Sequence, residues 1–526
     1  MKSRLRRDAT SVPGVCLLAA LLLPGVVSAQ ATAFTNPAES AGAQGLLEME
    51  RRVIERTLPN GLKVILLPRP FAPVISMVTC ADVGGVDENQ NATGLAHIFE
   101  HMAFKGTKTI GTKDFAREAE AMKREDAAFL ALRAERLRRP KPDEARLKPL
   151  EEAFRKAQDD ARQYVIVPGE FGEIVERAGG RDLNAGTNFD ETIYLYSLPS
   201  NRLELWATLE ADRFTNPVLR EFYKEKDVVM EERRMRESQP TGRLFTDFMA
   251  TAYQASMYRA GVIGFMSDLQ GITRAEAEAW FAKYYGGRNL TAVVVGDVDP
   301  ATAMPILERT LGSIPAGEKP GPVVTQEPPQ RAEKRLTLED PSQPFLFIGY
   351  HKGDINDPDQ PVYEVINDIL AEGRSSRVYK ALVTDKKVAV YAGAYTELGQ
   401  KYPGLFLFVA VPTKGRTNAE CESALYEEIE KIKNEPVSAE ELQAVKAKEK
   451  KKFLASVDSN MGLARQLASA QNLQGDWREV FRKLARIDKV TAADIQRVAQ
   501  AAFVKSNRTV GMIDTTAATP ARPPAN

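Results

Sequence analysis

The feature that most constrains this chain is an internal repeat. Residues 273–295 (TRAEAEAWFAKYYGGRNLTAVVV) lie without a gap on residues 491–513 (TAADIQRVAQAAFVKSNRTVGMI) at an offset of 218. Thr273 meets Thr491, each a helix N-cap candidate, while Tyr285 meets Phe503, Asn289 meets Asn507 and Thr291 meets Thr509. Each copy reads as helix, turn, strand, and each closes its half of the chain. The expected fold class is therefore α+β, with two similar tandem domains, each a mainly antiparallel sheet covered by helices.

The rest of the chain fits that division. Residues 53–58 and 62–67 read as strands around the Asn60-Gly61 turn, and residues 74–83 and 290–295 as further strands of the first domain. Residues 313–332 carry Pro315, Pro320, Pro322, Pro328 and Pro329 and little apolar periodicity, which suits an extended connector. The expected boundaries are 46–312 for the first domain, 313–335 for the linker and 336–514 for the second. An Ala/Pro/Thr-rich tail over 515–526 is expected to be disordered. Within the first domain, residues 122–164 form a charged excursion of two helices broken at Pro140 and Pro142. Leu147, Leu150, Phe154, Ala157, Ala161 and Tyr164 make a seam along its second helix, so a hairpin packed on itself is favoured over a partner-binding arm.

Composition narrows the compartment and the partners. Lys2, Arg4, Arg6 and Arg7 precede the short apolar run 15–23, and Val27-Ser28-Ala29 supplies small residues for cleavage. Residues 1–29 thus read as an export signal, cleaved near Ala29, and the bacterial periplasm is the expected destination. No later stretch is apolar enough for stable membrane insertion. The balance of 71 basic and 71 acidic side chains lacks the basic field of a nucleic-acid binder. Of the three cysteines, Cys80 and Cys421 survive export and are expected as free thiols.

The chemistry concentrates at His97-Ile98-Phe99-Glu100-His101, which holds two of only three histidines. On a helix His97 and His101 share a face, with Glu100 on an adjacent stripe. Two imidazoles at that spacing can grip one Zn²⁺, while the carboxylate alongside takes a proton from water activated at the metal. This is the inverted zinc motif, H-x-x-E-H.

The longer run 94–107 (GLAHIFEHMAFKGT) resembles the signature of the pitrilysin/insulinase metallopeptidases, a family that includes the mitochondrial processing peptidase. The resemblance covers nearly the whole mature chain and is weaker in the second half. Residues 225–232 (EKDVVMEE) are similar to the family's downstream helix, where two glutamates stand seven apart. By that match Glu232 is the third metal ligand and Glu225 a supporting carboxylate grouped with Glu100 on the catalytic side. Glu231, rotated by about 100° on the helix, is the weaker ligand candidate. The family's usual gap before this helix is shorter, and the charged hairpin accounts for the extra length. Residues 184–194 (NAGTNFDETIY) resemble the family's active-site edge strand, making Asn184, Ala185 and Thr187 the substrate-binding candidates.

The resemblance also implies a deficit. His351 stands alone, so the second domain cannot hold a like metal site. In the family that domain supplies an arginine and a tyrosine near the metal. Over residues 375–391 the arginine after Leu382 appears as Val383, which donates no hydrogen bond, and Tyr391 arrives one residue late. The expectation is one Zn²⁺ per chain in an exported endopeptidase cleaving short or unfolded peptides. A related subunit supplies the missing pair in a heterodimer, with a homodimer as second choice. A precursor-processing peptidase and a non-catalytic assembly subunit are the alternatives within the family. Manganese or cobalt could also fill a two-His, one-carboxylate site.

Overall fold

Among the described residues eleven strands build two mixed sheets with the same internal order. The computed structural model describes residues 43–166 and 169–516, so the export-signal segment 1–29 and all of the tail beyond Thr516 lie outside the described residues. In the first sheet β1 (Ile54–Thr57), β2 (Lys63–Pro68), β3 (Val74–Ala81), β4 (Arg181–Thr187), β5 (Thr192–Pro199) and β6 (Leu290–Gly296) follow the order β1-β2-β6-β3-β5-β4. In the second, β7 (Lys334–Asp340), β8 (Phe345–His351), β9 (Ala389–Leu398), β10 (Leu405–Pro412) and β11 (Arg508–Thr515) follow β7-β11-β8-β10-β9. Strand for strand the second repeats the first without β1. In both, the closing strand inserts between two earlier strands, parallel to one neighbour and antiparallel to the other.

The repeat is visible in single hydrogen bonds. Thr273 and Thr491 each cap a helix (Arg274–Tyr284 and Ala492–Ala502) through a reciprocal box with Glu276 and Asp494. The Asn289 carboxamide donates to the carbonyls of Tyr284 and Asp82. Asn507 does the same to Ala502 and His351. Each asparagine thus ties a helix end to the neighbouring strand, a task that fixes its identity in both copies.

The first sheet buries both faces, as alternate side chains along a strand must. Val64, Leu66, Ile75 and Met77 pack against the helices of their own half, Leu95, Ile98, Phe99 and Met102 among them. Ile65, Leu67, Val78, Val293 and Val295 pack against Leu463, Ala464, Leu467 and Ala468. Those last four belong to the helix Asn460–Gln474 of the second half. The reciprocal cover comes from Pro240–Ala252: Phe248 lies against Phe347 of β8, ring centroids 5.6 Å apart. The halves are therefore not two self-covered domains in series. Each sheet has two apolar faces, local helices cover one, and an exchanged helix covers the other. All the described residues cluster as one compact unit.

Three boundaries differ from those read in the sequence. The hairpin's first helix starts at Phe115, where Asp114 accepts from the Arg117 amide, and runs to Arg136; the second is Glu144–Arg162. Lys334 already belongs to β7, shortening the connector. Thr515 is still strand, paired with Asp340, because β7 gives β11 a parallel neighbour to its end. Cys80 and Cys421 are free and buried. Among the described residues no helix is long and apolar enough to cross a membrane.

Candidate metal centre

The motif sits on a short helix, Leu95–Met102, whose apolar face (Leu95, Ala96, Ile98, Phe99, Met102) is sunk in the first core. That leaves His97, Glu100 and His101 on the remaining face, half-buried. Gly94 opens the helix at φ 94°, and a Cβ there would stand 2.5 Å from the Ile263 carbonyl oxygen, so only glycine fits. The helix start is held by a buried carboxylate the sequence reading passed over. Glu88 Oε2 accepts from the Gly94 amide (2.7 Å) and Oε1 from the Ala96 amide (2.8 Å), satisfying donors that a helix N-terminus leaves open.

The third ligand candidate arrives from Phe222–Ser238, more than a hundred residues on. Glu232 Oε2 lies 3.7 Å from His97 Nε2, and Oε1 lies 3.8 Å from His101 Nε2. One ligand atom from each of the three residues falls within 4.8 Å of the others, the only such His/Cys/Asp/Glu group among the described residues. Two imidazoles and a carboxylate converging in this way are the donor set of a zinc site with a position left for substrate or water. Glu231 points elsewhere; its side chain is 62% exposed and paired with Arg234 at 2.8 Å.

Glu225 stands behind His101, its Oε2 3.5 Å from Nδ1, and also takes an ion pair from Lys105. Burial opposes its ionisation, yet the His101 and Lys105 hydrogen bonds prevail and bring its pKa to about 2. The Glu225 hydrogen bond in turn raises His101, whereas burial pushes His97 down to about 3, leaving its imidazole neutral as a metal ligand must be. Glu225 therefore meets the His101 ring on the side away from Glu232, the place of a carboxylate that orients a ligating imidazole rather than of one that reacts beside Glu100. Replacing Glu225 with Ala is expected to weaken zinc affinity by about 10- to 100-fold, read by chelator competition. Unchanged affinity would remove this role.

Glu100 is the free carboxylate of the motif. Burial raises its pKa, and hydrogen bonds from Thr187 oppose that rise. Thr187, a substrate-contact candidate by sequence, thus lies beside Glu100, and its hydroxyl is 3.4 Å from that of Thr192. Asn184 and Ala185 lie on β4, the outermost strand of its sheet, paired with Leu195 and Tyr194 on one side only. The Ala185 amide donates to Asn184's own Oδ1 at 2.9 Å.

Two further groups shape the site without a sequence signal. Arg220, buried with Glu118, reaches the carbonyls of Lys105, Thr107 and Ile110 and pins the loop that leaves the motif helix. The hairpin packs on the helix that carries Glu232 as well as on itself: Phe129 lies tilted over Tyr223 and Phe154 meets it edge-on, with centroids 4.3 and 5.3 Å away. In the second half His351 bonds the Ala252 carbonyl (3.2 Å) where the exchanged helix ends. Val383 packs against the second core, and Tyr391 is half-exposed on β9 beside Tyr395.

Comparison with known proteins identifies relatives of the whole two-part chain. The family model for insulinase, peptidase family M16, matches residues 63–132 and 168–264, and that for the M16 inactive domain matches 271–449. The first model breaks across most of the hairpin. The zinc protease PqqE of Helicobacter pylori is 28% identical over 455 residues, 83% of this chain and 88% of the relative. The probable zinc protease PqqL of Escherichia coli is 23% identical over 446 residues, 82% of this chain and 40% of the relative. A crystal structure of a protease from Helicobacter pylori superposes with TM-score 0.74 and 25% identity, covering 88% of this chain and 99% of that one. The first half of the periplasmic protease PqqL from Escherichia coli shares the fold, with TM-score 0.64 and 19% identity over 88% and 92% of the two chains.

Proposed function

The chain belongs to the M16 (insulinase) peptidase family, and on that premise we propose that it is an exported, zinc-dependent endopeptidase for short or unfolded peptides. The observation that carries the reading is the convergence of His97, His101 and Glu232 beside an unliganded Glu100. Zinc held there would polarise the scissile carbonyl and lower the pKa of the attacking water.

The chain's own residues divide the remaining work. His97, His101 and Glu232 hold the metal, and Glu225 keeps His101 turned towards it. Glu100, desolvated and steadied by Thr187, accepts the proton of the attacking water and returns it to the leaving amine nitrogen. The open edge of β4 presents backbone donors and acceptors to an extended peptide, which recognises main chain before side chain. An incoming strand displaces the Asn184 carboxamide from the Ala185 amide as it pairs.

Two parts of the reading concern context. Val383 supports the proposal that an arginine and tyrosine come from a related subunit, making this the metal-bearing half of a heterodimer or, as second choice, a homodimer. The basic, apolar, small-residue pattern of residues 1–29 supports export to the periplasm.

The test is zinc analysis with peptide cleavage, first for this chain and then with a related subunit added. One zinc per chain, with cleavage abolished by chelation and restored by zinc, is expected, and the added subunit should raise the rate. A chain that binds no zinc, or a zinc-loaded pair that cuts no peptide, overturns the hydrolytic reading. Full activity of the chain alone overturns the two-subunit part.

A further inference from the structure

The turn between β4 and β5 carries two consecutive buried carboxylates, Asp190 and Glu191, at 3% and 4% exposure. Neither is bound by a cation of its own half. Asp190 accepts from the Tyr258 hydroxyl and, across to the second half, from the Gln400 amide at 2.8 Å. Glu191 accepts from the Ser469 hydroxyl (2.7 Å) and the Asn472 carboxamide (3.2 Å) of the exchanged helix, and from the Cys80 thiol (3.4 Å). Two consecutive residues of the first half are thus stitched to two separate elements of the second.

The turn itself leaves little slack. Asn188 Oδ1 accepts the amides of Asp190 (2.7 Å) and Glu191 (2.9 Å). Val86 donates its amide to the Phe189 carbonyl at 2.8 Å. Gly84 passes so close that a Cβ would lie 2.6 Å from the Phe189 and Asp190 backbone. Immediately before the turn stands Thr187, at the end of the strand that packs on the motif helix and near enough to Glu100 to favour its charged form; immediately after it stands Thr192, 3.4 Å from the Thr187 hydroxyl and bonded to the Val83 carbonyl at 2.9 Å.

We infer that Asp190 and Glu191 are positioning residues for peptide hydrolysis: their buried hydrogen bonds to the second half set the turn, and through Thr187 the turn sets Glu100. The inference rests on the peptidase reading above. Its physical ground is direction. An apolar pair would close the seam with less desolvation, whereas a buried carboxylate accepts charge-assisted bonds of fixed geometry and is costly to leave unpaired. A base displaced by about 1 Å can lose 100-fold in rate, so such a fixture has work to do at this place.

The test removes the donors from the far side of the seam. Ser469→Ala/Asn472→Ala touches neither the metal site nor β4, and Asp190→Asn removes charge without volume. In the assembled, zinc-loaded enzyme, both are expected to keep full zinc content and KM within about twofold while kcat falls by about 10- to 100-fold. Ser469→Thr, which retains the hydroxyl, should recover most of the rate. Thr187→Ala should add little on top of the seam variant, since both act on one carboxylate. Hydrogen exchange at residues 184–187 should quicken in the seam variants whatever the activity. Parental kcat with unchanged exchange, a change confined to KM, or full additivity with Thr187→Ala would each overturn the inference. A parent enzyme that cleaves nothing, with exchange still responding to the seam, would instead count against the peptidase reading.

Discussion

Glu100→Gln is expected to keep zinc and lose turnover. The amide has the shape of the carboxyl, can still accept from Thr187, and lies outside the three-residue donor set. Metal analysis should therefore match the parent. An amide cannot take up the proton released by the attacking water, so the general-base contribution, about 100- to 10,000-fold, disappears from kcat with KM little changed. Parental kcat in the zinc-loaded variant would remove Glu100 from the chemistry and leave the motif as a binding site alone.

The second large effect separates two neighbouring acids. Glu232→Ala should strip the metal, because it deletes the one carboxylate that, among the described residues, faces both imidazoles. The loss in zinc affinity should exceed the roughly 100-fold typical of an outer partner, and activity should fall with occupancy. Glu231→Ala should do neither, as that side chain points to solvent and Arg234. Zinc content after dialysis against a weak chelator decides it. Loss of zinc in the Glu231 variant, with retention in the Glu232 variant, would reverse the assignment of the ligand-bearing helix and its register.

The contrast between these acids shows how the site could be read before the fold was known. Which of two adjacent glutamates faces inward follows from helical period once Glu225, Val229 and Glu232 are placed on one stripe, and Val229 is fully buried. That Glu232 approaches His97 at all came from family resemblance, not from any local pattern. Lys105 and Thr187 lie inside the family-like segments 94–107 and 184–194, yet nothing local marks one as the partner of Glu225 and the other as a neighbour of Glu100. Glu88 gave no sign either, because its partners are main-chain amides.

The repeat shows the same boundary at the scale of the fold. Capping boxes, the asparagine after each helix and the strand that closes each half are short-range, and their residues correspond one to one between the two copies. The exchange of Pro240–Ala252 and Asn460–Gln474 was invisible, since an amphipathic helix advertises that it must be covered without naming the sheet that covers it.

Residue types and spacing alone thus settled the doubled α+β plan, the pairing of two imidazoles on one helical face and the placement of a carboxylate beside them. Only the tertiary structure decided which helix covers which sheet, what orients His101 and Glu100, and how the turn at 190–191 ties one half to the other. The reason is range. Periodicity and capping are written within a few residues, whereas a buried hydrogen bond or an apolar face is satisfied by whatever group the whole chain brings within a few ångströms of it.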